Sequence, residues 1–90
     1  MELGIYLAGE RGRLAAVAAA AGLSPSFLSQ VANGRRGAPA ERCVQIEEAT
    51  GRAVRRWDLR PGDWWRIWPE LIGAEGAPAV PQAEEARDAA

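Results

Sequence analysis

The sequence predicts a small all-α domain, and three observations carry that prediction. Apolar residues recur at i, i+3 and i+4 spacing in successive segments. Serine, proline and glycine stand where such segments would start and stop. Alanine, the strongest helix former, dominates the stretch Ala15–Ala21. The chain has 90 residues, which makes one domain, and a core of that size buries about 60–70% of the unfolded surface.

The elements follow in order. Glu2 to Ala8 reads as a first helix through Leu3, Tyr6 and Leu7, broken by Gly9-Glu10-Arg11-Gly12. Arg13 to Ala21 is a second, with Leu14, Val17, Ala18 and Ala21 at helical spacing; Gly22, free to take positive φ, stops it. Ser24 is then an N-cap, and Pro25 sits at the first helical position, where its missing N–H costs nothing. The third helix runs over about Ser24–Ala32 and ends at Asn33-Gly34. Pro39 opens a fourth, to about Thr50, with Cys43, Ile46 and Ala49 on one face. Ala53 to Arg60 is a connector with a turn of helix around Trp57-Asp58-Leu59. Asp63 caps a fifth helix from Trp64 to Trp68, which Pro69 ends or kinks. From Gly73 the composition turns to Ala, Glu, Pro and Gly. That stretch holds too little apolar area to offset its ordering entropy. The expected organisation is a domain over residues 1–72 and a disordered acidic tail over 73–90.

The charges are segregated despite a net charge of −1. Up to Trp68 there are ten arginines against seven acids; from Pro69 onward there are one arginine and five acids. Every basic residue is arginine, whose planar fork suits phosphate or guanine, although GC-rich coding explains the same usage. Ser, Thr, Asn and Gln number eight, and five of them fall between Ser24 and Asn33. The chain has no histidine and a single cysteine, Cys43. These features exclude His-dependent acid–base chemistry, a Cys/His zinc site and an internal disulfide. No run approaches the roughly 20 apolar residues of a membrane span. The expectation is a cytoplasmic protein, on the nucleoid when bound to DNA, with no metal, cofactor or membrane partner.

The second and third helices fit a helix–turn–helix. Ala18 gives the small side chain wanted at the helix crossing, Gly22 makes the turn, and Leu23, Leu28 and Val31 bury the third helix against Leu14, Val17 and Ala21. At 100° per residue, Ser26, Ser29, Gln30 and Asn33 share one arc of that helix, opposite Phe27, Leu28 and Val31. Such a face suits a major groove. Glutamine can bridge adenine N6 and N7, serine can bond any base edge, and phenylalanine can touch a thymine methyl.

At these residues the chain resembles a known family. The stretch LAAVAAAAGLSPSFLSQVANGRRGAPAERCVQIEEATG is similar to the lambda-repressor-like helical DNA-binding fold, and within it to the Cro/YdaS-type regulators of phages and toxin–antitoxin operons. The LSPSFLSQVANGRR core, the PAERC helix start and the DLRPGDWWRIWPEL end extend the likeness over about Leu3 to Leu71. The resemblance implies a five-helix domain that binds double-stranded DNA as a homodimer and represses transcription from a palindromic operator. It places base-reading roles on Pro25, Ser26, Ser29 and Gln30, with Phe27 either reading thymine or joining the core. Asn33, Arg35 and Arg36 match backbone-gripping positions. Many relatives carry a phosphate-contacting glutamine at the start of the second helix, where this chain has Leu14. Arg13, one residue earlier, is the candidate for that contact.

Other roles stay open on the residues alone. Ser24 is a cap that can also meet phosphate through the helix N-terminus. Arg52, Arg55 and Arg56 extend the basic patch or are solvated surface. Trp64, Trp65 and Trp68 either complete the core or form a dimer or partner surface, since at least one of an adjacent pair should face outward. The alternative function is an antitoxin or interaction protein that binds a toxin through this Trp-rich end. Enzymatic activity is not expected: no paired carboxylates, activated nucleophile or phosphate-binding glycine loop is placed for chemistry.

Overall fold

The computed structural model describes residues 1–80. Among them the chain forms six α-helices and one short 3-10 helix, with no strand. In order these are α1 (Leu3–Ala8), α2 (Arg13–Ala21), α3 (Pro25–Ala32), α4 (Ala40–Ala49), α5 (Arg56–Leu59), α6 (Trp64–Ile67) and the 3-10 turn Pro69–Leu71. Compared with the five helices expected, the added one is α5, a single turn within the connector. It forms because the Asp58 carboxylate reaches back to accept the Arg55 N–H at 2.8 Å, giving the turn a cap. No single helix among the described residues is long and apolar enough to cross a membrane.

Local chemistry sets the boundaries around α3. Gly22 adopts φ 71°, and Leu23 N–H donates to Ala18 O at 2.9 Å, which closes the end of α2. Ser24 Oγ then accepts the Phe27 N–H at 3.1 Å, with Pro25 at the first turn, so α3 begins where its sequence dictates. Asp63, expected as a cap for the tryptophan helix, makes no side-chain cap bond. Its two oxygens accept Arg60 Nε at 3.0 Å and Nη2 at 2.6 Å instead. A two-pronged, charge-assisted pair outcompetes one backbone N–H.

Two apolar clusters hold the helices together. The first unites Leu3, Val17, Ala18, Leu28, Ile46 and Val54; the second unites Ala38, Cys43, Trp57, Trp64, Trp68 and Leu71. Helix α4 serves both, with Ile46 in the first and Cys43 in the second, and Val31 and Leu59 pack against each. The expected partner surface is corrected here. Trp64 is 1% exposed and Trp68 8%, so both are core. The indoles of Trp57 and Trp64 meet edge to face at 5.7 Å, and Trp65 is half-buried against Trp64 at 6.0 Å. A domain this small needs its largest side chains inside.

The expected tail also differs at its start. Ala77 and Val80 pack against the tryptophan cluster, covering apolar area that the helices leave open. The remainder of that tail, 81–90, lies outside the described residues.

Glu47 is buried at 3% exposure on the core side of α4. Its Oε2 accepts Arg55 Nε at 2.8 Å and the Arg56 N–H at 3.3 Å, while Arg56 Nε lies 3.1 Å from Oε1. The carboxylate thus fastens α4 to the start of α5. The two guanidinium groups stand over Trp57 and Trp68, at 4.3 and 5.4 Å from the ring centres.

Candidate nucleic-acid interface

Helices α2 and α3 meet at 111° across the three residues between them. Leu28, fully buried with Val17 and Ala18, anchors α3 to α2 and fixes which side of α3 faces out. Pro25 and Ser26 are exposed, and Phe27, Ser29 and Gln30 are half-buried.

Ser24, Ser26, Phe27, Gln30 and Arg36 line one open depression. Within it Arg36 Nε donates to Gln30 Oε1 at 3.1 Å, and Gln30 Nε2 lies 3.5 Å from Ser26 Oγ. The Arg36 guanidinium also lies over the Phe27 ring, 5.4 Å from its centre. Phe27 belongs to neither apolar cluster and lines the depression, half-buried. Arg36 reaches this place because Gly34 takes φ 76° and the Arg35 N–H closes onto Gln30 O at 2.9 Å, folding the chain back along α3.

The four polar residues expected on one arc border different depressions. Ser29 and Asn33 border a separate groove shared with Gly4, Leu7, Ala8, Leu14 and Ala32, so residues of α1 and α2 line it beside them. Only Ser26 and Gln30 of that arc face the depression.

The candidate backbone contacts divide likewise. Arg35 and Asn33 are exposed in the turn after α3. Arg13 is instead tied to α1. Its Nη1 donates to Tyr6 O at 2.8 Å, its guanidinium stacks 4.2 Å from the Tyr6 ring centre, and Glu10 lies 3.4 Å away. Arg55 and Arg56 are engaged by Glu47, which leaves exposed Arg52 as the open cation of that trio. Sequence reasoning missed the Glu47 centre, although a glutamate four positions after Cys43, on the core face of a helix, was a readable signal. It also missed the Arg36–Gln30 bond, which spans six residues and a turn and has no periodic signature.

Three groups away from the depression have shifted protonation. Burial pushes the Cys43 thiol up to about 11. Hydrogen bonding to Arg60 holds the Asp63 carboxyl below its usual range, and the same bond raises Arg60.

A family model described as bacterial toxin YdaS matches residues 6–67, a span that includes every residue lining the depression. Comparison with curated proteins gives no match.

Proposed function

The chain belongs to the bacterial toxin YdaS family, and on that premise we propose that it is a sequence-specific regulator that binds double-stranded DNA and represses transcription. The observation that carries the reading is the outward face of α3. A short helix set at 111° to its neighbour presents Ser26, Phe27 and Gln30, with Arg35 and Arg36 in the following turn. Two helices at about 90–120° joined by a short glycine-containing turn are the arrangement that lays a second helix in a major groove. In this reading Gln30 and Ser26 read base edges and Phe27 meets a thymine methyl, while Arg35 and Asn33 grip phosphate. Two copies would place their α3 helices about 34 Å apart on a palindromic site. The protein acts by binding and occlusion, without catalysis.

The test is binding to DNA from its own upstream region, against a scrambled duplex of equal length, at two salt concentrations. Strong preference for the native fragment with steep salt dependence is expected. Equal, weak binding to both fragments would sink the proposal. Gln30→Ala should cost ~1–3 kcal/mol and relax preference at one base pair. Arg35→Ala should weaken all sequences alike and lower the salt slope by about 1.

A second reading follows from the family's description as a toxin: the chain acts on, or is neutralised by, a protein. Half-buried Trp65 and Ile72, 50% exposed, are among the apolar groups near the tryptophan end open to such a contact. Growth on induced expression separates the two. Toxicity abolished by Gln30→Ala runs through DNA; toxicity that survives this change and disappears with Trp65→Ala runs through a protein.

A further inference from the structure

We propose that Arg36 is a positioning residue that fixes the Gln30 carboxamide for reading adenine, rather than one of the backbone-gripping arginines. The inference rests on the DNA-binding reading and deepens it. Arginine has no acceptor, so a carboxamide bonded to Arg36 Nε must turn its oxygen toward Arg36 and its nitrogen toward Ser26. Arg36 enforces that orientation, and the Ser26 hydroxyl, able to donate or accept, accommodates it. The guanidinium lies over the Phe27 ring, and the turn at Gly34 brings Arg36 back along α3 to that place.

A carboxamide so held keeps one oxygen lone pair and one N–H for a partner. That pair complements the N6–H donor and N7 acceptor of adenine. Left alone, a glutamine rotates about three side-chain torsions, and its amide presents either end; guanine and thymine acceptors could then be met by the nitrogen alone. Arg36 removes that ambiguity before DNA arrives, so discrimination falls on Gln30 while its fidelity depends on Arg36.

A phosphate-gripping arginine and a positioning arginine predict different behaviour for Arg36→Lys. Lysine keeps the charge but has no Nε–H with which to hold Gln30. With a positioning role, affinity for scrambled duplex stays within about twofold of the parent and the salt slope is unchanged. Preference for adenine over the other bases at the Gln30-dependent position drops about tenfold, the size of one bidentate base contact. Unchanged discrimination in Arg36→Lys, with or without a loss of overall affinity, overturns the proposal. A second measurement needs no DNA. In the free protein the Arg36 Nε–H should exchange slowly with solvent and show a through-space contact to Gln30, both lost in Gln30→Leu. A fast-exchanging Nε–H that ignores Gln30→Leu overturns the positioning role even if the protein binds its operator. A slow, Gln30-dependent Nε–H in a protein without sequence preference would keep the held carboxamide and discard its use on DNA.

Discussion

Removing the Ser24 hydroxyl takes away the acceptor for Phe27 N–H at the entrance to α3. Ser24→Ala should therefore lower stability by about 1 kcal/mol in chemical denaturation. At Glu47 the loss is larger, because one buried carboxylate serves Arg55 and Arg56 together. Glu47→Gln should cost about 2 kcal/mol by the same measurement. That is below the ~3–5 kcal/mol of fully enclosed pairs, since both guanidinium groups keep some contact with water. Cys43 offers a different readout. Its sulfur is fully buried, lies 3.5 Å from Ala38 O, and has its thiol pushed up to about 11. A thiol reagent at neutral pH should label it no faster than the domain unfolds; rapid labelling without denaturant would contradict that burial.

At the scale of elements, the α2–α3 corner depends on backbone that an ordinary side chain resists. Gly22→Ala meets no steric obstacle, yet it must hold φ 71°, so about 1 kcal/mol is lost to conformation alone. A melting temperature unchanged in this variant would show that the turn relaxes freely. This corner was legible in the sequence because each signal is local: a glycine stop, a serine cap, a proline at the first turn. The helices α1 to α4 were legible for the same reason. What escaped depends on competition between distant groups. Asp63 satisfies every sequence rule for a cap, but Arg60 is a better partner. The tryptophans look like a surface when two stand adjacent, until Ala38, Cys43 and Leu71 are brought around them. The arc of Ser26, Ser29, Gln30 and Asn33 is correct as helical geometry, but residues of α1 and α2 line a groove beside half of it.

Across the whole molecule, the shifted groups bracket a range of pH. Asp63 titrates lower in the folded protein than its ordinary 3.8, so its contribution is present above that value and lost as pH falls through the folded one. Cys43 titrates higher than its ordinary 9.0, so its contribution is complete below 9.0 and fades as pH rises toward about 11. With no histidine in the chain, the urea midpoint should stay level from about pH 5 to 8 and decline on both sides. A midpoint that changes steeply near pH 6.5 would point to a titrating group these contacts do not include. The clusters themselves are joined through α4, Val31 and Leu59, so they should unfold in one transition.

The separation of the two clusters also decides what light can report. All four indoles, Trp57, Trp64, Trp65 and Trp68, belong to or pack on the second cluster, and none lines the depression on α3. Their emission is therefore blind to direct stacking or quenching at that face. One apolar link from α3 to the indoles is Val31, which packs against both clusters from the inner side of the same helix. A spectral shift on adding a ligand would thus register a displacement of α3 relayed through Val31 or through Leu28 and α4, making the tryptophans a built-in strain gauge for a surface they never touch.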